Sequence, residues 1–237
     1  MDAVPNGGLL RELEGSSALI IDGVFSPSEC RNYVAGLYAA RAEWTSDFGD
    51  EQFSLGRAFY THFEQDRCKL YFADARASDA RVERWLPGLQ RRMLELVERV
   101  TGGVCFARRG FCGPGVHVFP AGEKVAREGG VIHFDTEGLP EHHCRSRKPA
   151  LSVVAMLQPP ETGGGLKLWG VRYAGHEFPD AATVAKQAIT AEYRAGSAIV
   201  FDSYRLHQIQ AFGGKLDRIS ATVHAAEVDR GRWETWF

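Results

Sequence analysis

Apolar positions change rhythm near residue 103. Before it they recur at helical spacing; after it they come in short blocks between glycine and proline turns. Leu19-Ile20-Ile21 predicts a short strand. Ser26-Pro27-Ser28-Glu29 then supplies an N-cap hydroxyl, a proline in the first turn and a glutamate three residues on, which is a capping box. It predicts a helix to about Arg41 with Val34, Leu37 and Tyr38 on one face. Residues 44–75 are rich in aromatic and charged side chains without a clean period and read as a cap or loop region. A second helix is expected from about Ser78 to Thr101, with Leu86, Leu89, Met93, Val97 and Val100 as its packing stripe. Gly102-Gly103 ends it, and Pro87 is where its first turns can break from the rest.

Downstream, blocks at 104–107, 115–119, 131–134, 151–157, 166–169, 198–201 and 218–227 have strand character. Gly113-Pro114-Gly115, Gly129-Gly130, Pro159-Pro160, Gly163-Gly164-Gly165 and Gly213-Gly214 mark the turns. Helices followed by at least seven strands predict a mainly β fold, a barrel or sandwich with helices along one sheet. One domain is expected over 1–237, with helical support at about 26–103 and a β core at about 104–228.

Composition narrows the functional classes. With 28 basic against 30 acidic residues and no basic run, nucleic acid is not an expected partner. No apolar stretch approaches the ~20 residues that span a bilayer. Met1 to Gly8 lacks the charged and apolar regions of a secretory leader, so a cytoplasmic protein is expected. Five cysteines without C-x-x-C spacing argue against a disulfide framework or a cysteine-rich zinc site. His142-His143-Cys144 reads as a polar loop, because neighbours on an extended chain point opposite ways.

The candidate chemistry lies in His133-Phe134-Asp135, the distant His207, and Arg218 with Ser220. Two imidazoles and a carboxylate form the facial triad that holds Fe(II) and leaves positions open. Eight His and twelve Asp yield a chance His-x-Asp about 0.4 times in 237 residues, so context carries the argument. His62-Phe63-Glu64 competes, but precedes the long helix and the barrel strands. In a strand, residues i and i+2 share a face, so His133 and Asp135 point together. The same rule aligns Arg218, Ser220, Thr222 and His224 on one face, with Ile219, Ala221 and Val223 on the other. An arginine fork beside a serine hydroxyl suits a carboxylate co-substrate.

These motifs resemble the Fe(II)/2-oxoglutarate-dependent oxygenase superfamily in its prolyl-4-hydroxylase-like branch. The chain resembles in particular the small stand-alone enzymes of that branch that hydroxylate or halogenate free small molecules, including the alkaloid halogenases of hapalindole and welwitindolinone pathways. It covers residues 18–25 and 104–237 and rests on the Leu19 to Phe25 segment, His133-Phe134-Asp135, Leu157 to Leu168, Gly196 to Phe201, His207 and Arg218-Ile219-Ser220. It implies a double-stranded β-helix (jelly-roll, cupin-like) core. His133, Asp135 and His207 would bind iron, and Arg218 with Ser220 the distal carboxylate of 2-oxoglutarate, with O2 as oxidant. The halogenases carry Gly or Ala where this chain has Asp135, so the resemblance implies oxygen transfer. The expected activity is hydroxylation of an unactivated C–H bond in a small molecule of amino-acid or natural-product type. Desaturation, epoxidation or cyclisation are alternatives on the same iron. A non-catalytic cupin-like binding protein and a hydroxylase acting on protein are the rivals.

The remaining polar residues receive structural readings. His117 and His224 read as hydrogen-bonded structure, although His224 shares the inward face. Arg108-Arg109 and Arg145-Ser146-Arg147-Lys148 read as solvated loop charges. Trp233, Trp236 and Phe237 either pack the C-terminus or cover the substrate. Residues 44–101 and the 136–149 loop are expected to shape the substrate site.

Overall fold

The computed structural model describes residues 8–176 and 179–237. The first seven residues, read above as lacking a secretory leader, lie outside the described residues. Two facing sheets form the core. The larger runs in the order Leu19–Ile21, Ala198–Asp202, Ala150–Gln158, Arg218–Asp229, Gly115–Phe119, Gln52–Leu55 and Thr45–Asp47, each neighbour antiparallel. Arg232–Trp236 pairs with the far end of the Arg218–Asp229 strand and lies parallel to Val104–Ala107. The smaller sheet contains Arg205–Ile209, Leu166–Arg172 and Ala188–Ala191. This is a double-stranded β-helix with helices along one side.

Alternation explains how the larger sheet serves two environments. Leu151, Val153, Ala155 and Leu157 join Ile219, Ala221, Val223 and Ala225 in a cluster with Leu37, Val82, Leu86, Leu89, Met93 and Val97 of the helices. Ser152, Val154, Ser220 and Thr222 therefore face the smaller sheet.

The helix Pro27–Ala39 begins on the predicted capping box: the Glu29 N–H donates to Ser26 Oγ at 3.2 Å, and the Ser26 N–H to Glu29 Oε2 at 2.7 Å. The second predicted helix is two. Cys68–Trp85 and Leu89–Thr101 are separated at Pro87 and by Gly88, whose φ of 78° is left-handed. The cap region at 44–75 holds a hairpin, Thr45–Asp47 with Gln52–Leu55, the helix Phe59–Glu64 and the start of Cys68–Trp85. Residues 131–134 are not a strand, and part of the 136–149 loop is the helix Glu141–Ser146. His142, His143 and Cys144 lie on that helix, and His143 is buried. Trp233, Trp236 and Phe237 are all buried, so packing accounts for them rather than a cover.

The helices Pro27–Ala39 and Cys68–Trp85 approach at Gly36, where an added Cβ would stand 2.3 Å from the Trp85 carbonyl oxygen. Backbone cannot swing aside, so Gly36→Ala must separate the helices. A clash with backbone belongs at the upper end of the usual overpacking cost, about 2–3 kcal/mol, and the helix-propensity gain of about 1 kcal/mol leaves a net loss of about 1–2 kcal/mol. Thermal unfolding should therefore show a Tm lower by about 2–8 °C. Gly170→Ala, with no atom within 4 Å of its added Cβ, serves as the control. An unchanged Tm for Gly36→Ala would contradict this packing.

Candidate functional site

One antiparallel contact aligns the predicted ligands. The segment around His133 meets the Arg205–Ile209 strand at the isolated His133–His207 bridge, and the Gly130 N–H adds a bond to Ile209 O at 2.8 Å. There each backbone N–H donates to the other residue's carbonyl, at 3.1 and 3.0 Å, and the Asp135 N–H donates to Ser203 O at 2.9 Å. Cross-strand pairing thus does the positioning expected of regular alternation. His133 Nε2 lies 3.3 Å and His207 Nε2 3.5 Å from Asp135 Oδ1. One ligand atom from each residue lies within 4.8 Å of the others, the one such group among the described residues.

The surroundings prepare these atoms for a cation. Nδ1 of His133 donates to Val131 O at 2.8 Å and Nδ1 of His207 to Arg205 O at 2.9 Å, so it is Nε2 of each ring that turns toward Asp135 and could meet a cation once deprotonated. Asp135 Oδ2 accepts from Ser152 Oγ at 2.5 Å, and Ser152 Oγ also lies 2.9 Å from Ser203 Oγ and 3.2 Å from His224 Nδ1. Burial pushes the Asp135 carboxyl up. The charge of His207 and hydrogen bonds from both imidazoles outweigh it and hold the group well below the usual carboxylate range. Burial likewise opposes charge on His133, but its bond to Asp135 raises it to about 9. In the metal-free protein a proton therefore neutralises the carboxylate where a cation would. Ser152→Ala should lower metal affinity about 10–100-fold, read by competition with a chromophoric chelator. Unchanged affinity would remove Ser152 from the site.

All three residues open onto a cavity of about 390 Å³ between the sheets. Arg218, Ser220, Thr222 and His224 line it, as alternation predicts. Arg218 is only 1 % exposed. Its Nε donates to Gly164 O at 3.1 Å and its Nη1 to Ser220 Oγ at 3.4 Å. Nη2 is buried without a partner, and so is the Tyr193 hydroxyl, whose ring lies 5.0 Å from the guanidinium carbon. Arg218 makes no ion pair among the described residues. A buried guanidinium without a counter-charge is costly. The donors left free fit an anion entering from the cavity.

The remaining polar residues divide between expected and unexpected roles. His224 is hydrogen-bonded and on the inward face, as read from the sequence, whereas His117 lines the cavity without a hydrogen bond. The His117 ring makes no hydrogen bond among the described residues, and burial, aided by His224 and Arg218, pushes it down to about 3. His62 is buried, donating from Nδ1 to Ala58 O at 2.9 Å and accepting from Arg57 Nη1 at 3.0 Å, so it is no metal ligand. Arg108 is no solvated charge: it pairs with Glu234 at 3.1 Å and lies over the rings of Phe111 and Trp236. Ser152, Ser203 and Tyr193 were not singled out from sequence. Ser152 sat on the inward face of a predicted strand, whereas nothing local marked Tyr193.

No protein-family model and no curated protein matches the sequence. Solved structures do match the fold. The non-heme alpha ketoglutarate dependent carbocyclase SnoK from nogalamycin biosynthesis is 16% identical, with a TM-score of 0.60 over 93% of this chain and 84% of its own. The epimerase SnoN from the same biosynthesis is 15% identical, with a TM-score of 0.57 over 92% and 82%. HygX from Streptomyces hygroscopicus, with nickel and 2-oxoglutarate bound, is 12% identical, with a TM-score of 0.54 over 93% and 86%. At these identities the likeness establishes the shared fold.

Proposed function

We propose that this protein is an Fe(II)- and 2-oxoglutarate-dependent oxygenase that hydroxylates an unactivated C–H bond of a small molecule. The observation that carries the reading is a buried, counter-ion-free Arg218 in the same cavity as the three converging ligand atoms. His133, Asp135 and His207 would hold a ferrous ion on one face. Arg218, Ser220 and Tyr193 would hold the distal carboxylate of 2-oxoglutarate. When bound, iron would let O2 act as the oxidant, two of its four electrons coming from 2-oxoglutarate with loss of CO2 and two from the substrate C–H bond.

The chain's own residues bind, orient and exclude water. Ser152 orients Asp135, the Val131 and Arg205 carbonyls fix the imidazole tautomers, and Phe119, Val154, Leu166 and Phe201 give the cavity apolar walls. A volume near 390 Å³ suits a small molecule. Desaturation, epoxidation and ring closure would use the same residues, and product analysis separates them.

The test is anaerobic addition of Fe(II) and 2-oxoglutarate to metal-free protein. A weak metal-to-ligand absorption band in the green is expected, and His207→Ala should lack it. Folded parent protein that develops no band would reject the oxygenase reading in favour of a binding protein.

A further inference from the structure

Resting on that reading of the cavity, we infer that the substrate is an organic cation, such as a protonated amine, and that Glu64 anchors it. The helix Phe59–Glu64 turns two faces to different surroundings. Phe59 and Phe63 stack on each other, and Phe59 continues into an aromatic cluster with Phe72 and Phe111. Tyr60 and Glu64, also four residues apart, both line the cavity. Glu64 is solvent-exposed at the cavity's open side and makes no hydrogen bond or ion pair among the described residues. As the last residue of its helix it also faces the unfavourable end of the helix dipole, so the fold gains nothing from this charge.

Charge balance isolates it further. Glu51, another carboxylate of the lining, is paired with Lys124 at 2.9 Å. With a ferrous ion and 2-oxoglutarate in place, their charges cancel against those of Asp135 and Arg218. His117, buried without a hydrogen bond among the described residues, is pushed toward the neutral form by burial. Glu64 is left unmatched among these lining residues.

The neighbouring aromatic wall points the same way. Phe48 sits in the left-handed region with φ of 53°, a strained conformation for a bulky residue. Its backbone N–H donates to Gln65 Oε1 at 3.3 Å. Its ring lies 6.5 Å from that of Tyr60, whose hydroxyl accepts from Gln52 Nε2 at 2.7 Å. Two fixed aromatic rings beside an unpaired carboxylate form a surface that attracts an alkylammonium through charge and ring faces together.

The test uses the Ni(II)- and 2-oxoglutarate-loaded protein with matched pairs of primary amines and their hydroxyl isosteres. Phenethylamine with 2-phenylethanol is one pair; others carry alkyl, cyclic and indole skeletons, and phenylacetate represents the anion. Calorimetry should show at least one amine bound tenfold or more tighter than its alcohol, with phenylacetate weakest. Glu64→Gln should erase that preference, Glu64→Asp should keep part of it, and added salt should weaken it. No preference anywhere in the panel, or one that survives Glu64→Gln, overturns the inference. The parent's ferrous absorption band is measured separately. Loss of the band with an intact amine preference would count against the oxygenase alone, and the reverse pattern against Glu64 alone.

Discussion

Asp135→Ala should abolish turnover and release the metal. Asp135 is the sole carboxylate of the ligand group, and both imidazole Nε2 atoms converge on its Oδ1. Residues that merely orient a ligand are worth about 10–100-fold in metal affinity, so loss of the ligand itself should exceed that range. Small-molecule hydroxylation should fall to background. Chloride-dependent chemistry becomes accessible at the vacated position, as the resemblance to halogenases implies. A variant that hydroxylates like the parent ends the ligand assignment.

The same substitution has a signature in pH. Asp135 is depressed from 3.8, so its contribution to metal-free stability is present above that value and lost as pH falls. His133 is raised from 6.5 to about 9, so its contribution is complete below 6.5 and lost as pH rises through about 9. Unfolding in chelator should therefore show greatest stability from about pH 4 to 6.5 in the parent. Asp135→Ala should flatten both limbs. Metal competes with the His133 proton, so affinity in the parent should increase with pH over the same upper window.

Arg218→Met should separate stability from co-substrate binding. Each charged hydrogen bond to a carboxylate is worth about 1.5–3 kcal/mol. Losing two such bonds should raise the 2-oxoglutarate requirement about 100-fold or more. Without co-substrate, however, Arg218 is a buried charge with an unpartnered Nη2 and no counter-ion. Burial pushes its pKa down, and the neighbouring Tyr193 hydroxyl offsets this only in part. A methionine of similar length removes that cost, so Tm of the co-substrate-free protein should be no lower than the parent's. The Tm increase on adding 2-oxoglutarate should disappear. An unchanged co-substrate requirement would take Arg218 out of the site.

Much of the scaffold was legible locally because local physics made it. The Ser26–Glu29 box set the start of its helix, and Gly102 stopped the helix Leu89–Thr101 in a left-handed turn. Residues 44–75 were illegible for a different reason. Tyr71, Ala75, Ser78 and Val82 of Cys68–Trp85 are buried at helical spacing, but exposed Leu70 and Phe72 blur the period. At 131–134 strand composition misled. That segment makes a single bridge to its neighbour instead of a ladder.

By itself the sequence determined which chemistry was available: His133, Asp135, His207, Arg218 and Ser220, and the alternation that sends Arg218 and Ser220 inward. Those choices are written in side-chain type and in the two-residue period of a strand. Only the tertiary structure decided that His117, Tyr193 and Glu64 share the cavity, that Ser152 holds Asp135, and that Arg218 lacks a counter-ion. Those facts depend on residues brought together across two sheets and a helix from distant parts of the chain. No local period encodes such distances, because they are set by how the layers pack.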